Sequence, residues 1–174
     1  MKIRLKHDSK AILQLLKTGN IKRKLKILEK LDGVNQRESI RILFKILEDT
    51  SWTLREKAAK RLAQYGNRVV PRLEKLLARG FWYTRASACL TLGEIGNLKA
   101  LEPIILLYFS DENPTVIKEA STALVKLAKR DPLQFAERLE EMELTDFQEQ
   151  RVLKVIEDLD RETHAIILEE LAHE

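Results

Sequence analysis

The sequence predicts an all-α chain of stacked helical hairpins, an α-solenoid. Residues 54–67 and 84–97 share one pattern of Arg, Ala, Leu, Gly and Asn at a spacing of 30 residues, and residues 116–128 repeat its phase at a spacing of 32. Small or apolar residues recur within each copy at helical intervals, which is typical of an amphipathic helix with close neighbours. Apolar residues at helical spacing also fill the segments between the copies, so two helix types alternate along the chain.

Turn-forming residues mark the joints between these helices. Gly66-Asn67 and Gly96-Asn97 follow one helix type, and residues 49–51 and 111–114, rich in Asp, Ser, Asn and Pro, follow the other. The chain is therefore expected to be a single domain over 1–174, with about five helical pairs and a terminal capping helix. The predicted pairs cover approximately 9–32, 35–66, 68–96, 97–130 and 131–158, and the cap covers 161–173.

Composition indicates a folded protein that is soluble and cytoplasmic. The chain is 44% apolar and 33% charged, a balance that disfavours disorder. Its longest apolar run, 104–109, is far shorter than the roughly 18 residues that a membrane span needs. The beginning of the chain lacks the apolar stretch of a secretory signal. The single cysteine, Cys89, excludes an intrachain disulfide and is expected to pack as a small buried thiol.

Charge is divided between the two halves of the chain. Residues 1–85 hold 22 Lys and Arg against 8 Asp and Glu, a balance of +14, whereas residues 86–174 hold 9 against 19, a balance of −10. Because the ends of the chain are the ends of a solenoid, this division predicts an electrostatic dipole along the stack. Self-association of a basic end with an acidic end is one possible consequence.

The repeat also carries the marks of a known family. Residues 92–105 read Leu-Gly-Glu-Ile-Gly-Asn-Leu-Lys-Ala-Leu-Glu-Pro-Ile-Ile, and residues 111–116 read Asp-Glu-Asn-Pro-Thr-Val. In these features the chain resembles the HEAT repeat, in particular the short form found in phycobilisome-lyase-like proteins, most closely over 40–130. The resemblance implies a right-handed α-solenoid, a HEAT-repeat superhelix, with the Arg-x-x-Ala helices on its concave face. It implies no lyase activity, since this repeat recurs in many unrelated proteins.

The same resemblance gives structural roles to Arg55 and Arg85. Family repeats commonly pair an Asp in the turn with an Arg six residues later, and Asp49 and Arg55 have this spacing. Such a pair implies charge-assisted hydrogen bonds that hold the turn. The pattern is broken elsewhere, because Arg85 follows a turn without an acid and Ile117 stands where Asp111 would meet an arginine.

No group of residues indicates catalysis, and the protein is predicted not to be an enzyme. His7, His164 and His173 lie near the chain ends and form no pattern of metal ligands. The chain has no Gly-rich phosphate loop and no nucleophilic Ser motif. Adjacent carboxylates such as those of residues 140–141 point apart on a helix. No metal and no cofactor are expected.

Two tryptophans are candidates for binding a partner. Trp52 and Trp82 occupy equivalent places in neighbouring repeats, and Tyr83 adjoins the second. Stacked repeats would place the two indoles roughly 10 Å apart, as an aromatic strip at the edge of the groove. Two interpretations remain open: the rings pack into the joint between repeats, or they anchor a partner, since Trp and Tyr are enriched at binding hot spots.

Basic residues are predicted near the same concave groove. Helical phase places there the side chains of Arg23, Lys24, Lys57, Lys60 and Lys118. A charged face is commonly only solvated surface, but the concentration of the surplus favours an anionic partner. The main hypothesis is a scaffold whose concave face holds an acidic or amphipathic segment of a protein partner. The alternative is nucleic-acid binding through the basic N-terminal half.

Overall fold

The computed structural model describes residues 9–33 and 35–172, and these contain eleven α-helices, short 3₁₀ turns and no strand. The helices are α1 (Ser9–Thr18), α2 (Ile21–Glu29), α3 (Gln36–Ile46), α4 (Trp52–Ala63), α5 (Val70–Arg79), α6 (Trp82–Ile95), α7 (Leu101–Ser110), α8 (Pro114–Arg130), α9 (Pro132–Glu140), α10 (Asp146–Leu159) and α11 (Arg161–Leu171). This architecture confirms the predicted all-α solenoid. None of the described helices has the length and apolar character needed to cross a membrane.

The helices form two rows. Even-numbered helices pack on one another from α2 to α10, and among the odd-numbered helices α1 packs on α3, α5 on α7 and α9 on α11. Corresponding positions in successive repeats meet directly: the Asn97 side-chain amide donates to the Asn67 side-chain oxygen at 2.6 Å, across 30 residues. The repeats are therefore stacked in one register.

Small side chains draw the even-numbered helices together. Ala58, Ala88 and Ala120, which hold the same place in three successive repeats, have no exposed surface. At Gly93 in α6, an added Cβ would lie 3.0 Å from the Ala123 Cα of α8, so the two backbones are in close contact. Such close spacing on one side bends the stack toward that side. We call the even-numbered helices the inner row and the odd-numbered helices the outer row.

Two outer-row helices begin later than the sequence pattern predicts. Helices were expected from Arg68 and Leu98, but each segment opens with a 3₁₀ turn, and the α-helices start at Val70 and Leu101. Pro71 lies in the first turn of α5, where its missing N–H costs no hydrogen bond. A helix extended further toward the N-terminus would place the proline in its interior.

Candidate binding surfaces

Arg55 lies in the joint between two repeats and is only 3% exposed. Its Nη1 donates to the backbone carbonyls of Asp49 and Thr50, both at 2.8 Å, and its Nε donates to Ser87 Oγ at 3.2 Å. Burial lowers the pKa of this guanidinium, whereas the Asp49 carboxylate acts in the opposite direction. Arg55 therefore contacts its turn through carbonyl oxygens and not through the expected bond to the Asp49 carboxylate.

The Arg55 guanidinium also joins two aromatic rings. Its Cζ lies 5.4 Å from the ring centroid of Trp52 and 5.3 Å from that of Tyr83, distances typical of cation–π contacts. Tyr83 in turn stacks on Phe81 at 5.5 Å and meets the edge of Trp82 at 5.6 Å. We call these four rings, from residues 52, 81, 82 and 83, the aromatic edge.

The aromatic edge is partly open to solvent. Trp52 and Trp82 are 40% and 44% exposed, and Phe81 is 70% exposed. Each tryptophan is the first residue of its helix, α4 or α6. One side of the cluster thus packs at the joint between repeats, while a large apolar area faces water.

A groove of about 970 Å³ continues from Phe81 and Trp82 between α5 and α7. Its walls are largely apolar and include Leu106, which is 59% exposed. The other lining residues are Glu74, Leu77, Ala78, Gly80, Arg85, Pro103, Leu107, Ser110, Asp111, Glu112, Asn113 and Pro114. Concave sites of this size and apolar character are typical of ligand and peptide binding.

Phe81 occupies a position that polar residues hold in the other inner-row helices. The N-cap residues of α2, α4, α8 and α10 are Asn20, Ser51, Asn113 and Thr145, whereas that of α6 is Phe81. A phenylalanine accepts no hydrogen bond from the first backbone N–H groups, and loss of such a cap costs about 1 kcal/mol. Sequence comparison between the repeats could have revealed this anomaly, since Phe81 stands where the neighbouring turns carry Ser51 and Asn113.

Of the basic residues predicted for the inner face, two are held by carboxylates. Lys24 Nζ lies 2.6 Å from Asp49 Oδ2, with both side chains largely buried. Lys60 pairs with Glu56, one turn earlier in α4, at 2.9 Å. Arg23, Lys57 and Lys118 are exposed. The structure therefore assigns Lys24 a contact between repeats, which helical phase alone did not indicate.

Charged side chains of α4 and α8 interact across the inner row. Glu119 of α8 is 9% exposed, and burial raises the pKa of its carboxyl group. Lys118 and Lys126 oppose this shift, while Glu56 of α4 adds to it. The inner row thus carries charged groups on α4 and α8, whereas the exposed aromatic rings lie at the aromatic edge.

Arg85 and Asp111 pair with each other, although the family spacing gives neither of them a partner. Arg85 Nε and Nη2 donate to the two Asp111 carboxylate oxygens at 2.6 and 3.0 Å, and Nη1 donates to the Gly80 carbonyl at 2.9 Å. The arginine binds the turn of the following repeat, as Lys24 binds Asp49. The family spacing within one repeat did not reveal this contact.

Comparison with known families agrees with this geometry. A family model for HEAT repeats matches residues 9–80 and residues 70–173. The chain belongs to the HEAT-repeat family. HEAT repeats commonly serve as protein-interaction scaffolds. A search among characterised proteins finds no match.

The cysteine and the described histidine of this HEAT-repeat protein form no reactive or metal-binding site within the described residues. Cys89 has no exposed surface, and burial raises the pKa of its thiol, so the predicted inert role is confirmed. His164 lies in α11, while His7 and His173 lie outside the described residues. Within 9–33 and 35–172, no three His, Cys, Asp or Glu side chains are grouped as metal ligands.

Proposed function

We propose that this HEAT-repeat protein is a non-catalytic scaffold that holds a segment of a partner protein at the aromatic edge and the adjoining groove. The observation that carries the proposal is Phe81, which is 70% exposed in a position where a polar cap would stabilise α6. An apolar ring kept in water at the expense of a helix cap is expected where binding covers it. Trp82 and Leu106 extend the same apolar surface into the groove.

The groove favours an amphipathic helix with basic residues on its flank. The helix-in-groove mode places apolar side chains from one helix face into a cleft of this kind. The lining of the groove contains three acidic residues, Glu74, Asp111 and Glu112, and one basic residue, Arg85. Asp111 already binds Arg85. A basic flank would complement the remaining acids. The sequence predicted that the partner segment is acidic or amphipathic. Of these two, we therefore propose the amphipathic segment.

The exposed bases Arg23, Lys57 and Lys118 remain candidates for a second contact on the inner face. A partner long enough to continue from the groove onto the inner row would meet one of these bases on each of α2, α4 and α8. Their role is secondary in this proposal because charged side chains, including Glu56 and Glu119, share that surface.

Selection from a library of displayed helical peptides tests the proposal. We expect enrichment of amphipathic sequences with Lys or Arg beside the apolar face. Phe81→Asn and Trp82→Ala should each weaken a selected peptide by at least roughly tenfold, which corresponds to about 1.4 kcal/mol. Phe81→Asn should also raise the melting temperature, because it supplies the missing cap.

Phe147→Asn is the matched control, since Phe147 is 68% exposed on α10, far from the groove in sequence. Its peptide affinity should equal that of the wild type. An equal loss of peptide affinity in the Phe147 and Phe81 variants would exclude the groove as the binding site. Selection of acidic peptides without an apolar face would do the same. Copurification from the native host would then identify the partner itself.

A further inference from the structure

The outer face of α3 and α5 carries two neighbouring rows of basic side chains. Successive turns of α3 present Arg37, Arg41 and Lys45, and the corresponding stripe before and along α5 presents Arg68, Arg72, Lys75 and Arg79. Arg37 and Arg41 correspond to Arg68 and Arg72 at a spacing of 31 residues. None of these residues was among those predicted for binding, which all belong to the inner row or the aromatic edge.

Four of these arginines line one groove of about 1040 Å³, together with Asn35, Gln36, Glu38 and Ile40. Glu38 is the only acid in that lining. Its Oε1 lies 3.8 Å from Arg41 Nη1. Arg68 donates to the neutral side chain of Gln36. Within the described ranges, 9–33 and 35–172, Arg37, Arg68 and Arg72 have no carboxylate oxygen within 4.0 Å. The groove thus concentrates four guanidinium groups, of which only that of Arg41 has an anionic partner within the protein.

Arg72 is held with one side of its guanidinium against an aromatic ring. Its Cζ lies 4.0 Å from the ring centroid of Phe44, which is 1% exposed, while the arginine side chain reaches solvent. Desolvation lowers the pKa of Arg72, Glu48 opposes that shift, and nearby Arg41 adds to it. The guanidinium is therefore pre-oriented, with its other side available for stacking.

We infer that this arginine groove binds a single-stranded nucleic acid, with guanidinium groups on the phosphates and Arg72 stacked beneath a base. Arginine forks match phosphate oxygens, and guanidinium planes stack on unpaired bases. The α3 stripe from Arg37 to Lys45 rises about 12 Å along the helix axis. That length matches about three phosphates at the axial rise of one strand. A second cavity shares Arg41 and Arg72 and adds Lys17 together with Lys45, which Glu48 binds, so Lys17 extends the basic path toward α1.

Fluorescence anisotropy with labelled oligo-dT and oligo-U of about 12 nucleotides tests this inference. Wild-type protein should bind at about 50 mM salt and weaken steeply by about 200 mM, with a logarithmic salt slope near −2 for about three phosphates. The double variant Arg37→Gln with Arg41→Gln should lose roughly tenfold in affinity, and its slope should become shallower by about 1.4. DNA and RNA share the phosphate backbone. Comparing the affinities of oligo-dT and oligo-U therefore shows which of the two nucleic acids the groove prefers.

The matched control removes the same number of positive charges from the inner row. Lys22→Gln with Lys26→Gln in α2 removes two exposed positive charges, as the groove variant does, and should retain affinity within about twofold. Arg72→Lys keeps the charge but removes the planar stack, so it should weaken the oligonucleotide severalfold with an unchanged salt slope. Circular dichroism should show the same helicity in every variant.

Several outcomes would overturn the inference. One is an equal loss of affinity in the inner-row and groove variants, which would indicate net charge alone. Another is competition by poly-glutamate or a phosphoserine peptide as effective as that of unlabelled oligonucleotide, which would assign the groove to an acidic polypeptide. A third is the absence of salt-sensitive binding by the wild type. Peptide binding at the aromatic edge should persist in the Arg37 and Arg41 variant, so the two sites are tested separately.

Discussion

Arg85 donates two parallel hydrogen bonds to the carboxylate of Asp111, although the two residues belong to different repeats. Asp111 Oδ1 also accepts the backbone N–H of Asn113 at 2.9 Å, so one carboxylate orders its own turn and joins it to the preceding helix pair. Asp49 does the same with Lys24 and the backbone N–H of Ser51. These aspartates therefore connect successive repeats.

Replacing Asp111 by Asn should destabilise the protein by about 1–3 kcal/mol at pH 7, because hydrogen bonds to charged groups are worth this much. The bond from Arg85 lowers the pKa of Asp111. Its contribution is thus complete above the unfolded pKa of about 3.9 and disappears as the pH falls through the folded value. Urea unfolding at several pH values should show the difference from wild type narrowing below about pH 4.

Glu112→Gln is the control for this measurement, since its exposed side chain adjoins the pair without taking part in it. The control should unfold like the wild type at neutral pH. A difference for Asp111→Asn that stayed constant from pH 7 to pH 3 would contradict the ionic role.

Glu119→Gln should have the opposite effect and stabilise the protein at neutral pH. Burial raises the pKa of Glu119, so the ionised carboxylate opposes folding above the folded pKa. Below the unfolded value of about 4.3 both states are protonated and the difference should vanish. Calorimetry should give an increase in melting temperature of about 2–4 °C at pH 7 and none at acid pH. A lower melting temperature at pH 7 would show that Lys118 and Lys126 more than compensate the burial.

Arg55→Lys should cost about 1–3 kcal/mol even though it retains the positive charge. A lysine does not reproduce the planar fork that reaches Asp49, Thr50 and Ser87 at once. Urea unfolding measures the loss, and the fluorescence of Trp52 should change because its cation–π contact is altered. Arg79→Lys, at an exposed position, should be neutral; equal stability of both variants would contradict the structural role of Arg55.

Gly93→Ala should destabilise the protein by about 0.5–2 kcal/mol, although alanine is the better helix former by about 1 kcal/mol. The new Cβ would lie 3.0 Å from the Ala123 Cα and 3.2 Å from its Cβ, so α6 and α8 would have to separate. Adding Ala123→Gly should recover part of the loss, because it removes one of the two close atoms. A more stable single variant would show that the row is loosely packed.

Sequence reasoning predicted the helices well and their contacts poorly. The stripe containing Ala58, Ala88 and Ala120 is buried as expected, since helical periodicity is a local property that one segment carries by itself. The pair of Arg85 and Asp111 was missed because the family spacing compares residues six apart, whereas this contact joins residues in different repeats. The arginine groove was missed because the predicted basic residues were sought on the inner row alone.

The repeating pattern of small, apolar and turn-forming residues was sufficient by itself to determine an alternating helical stack, because each helix needs only a neighbour that covers its apolar stripe. Tertiary structure decided which side chains remain outside that stack. Close packing of α6 on α8 buries the small residues between them, and the joint between repeats leaves Phe81 exposed. Spacing and curvature arise from the packing of several repeats together, so no single segment of the chain encodes them.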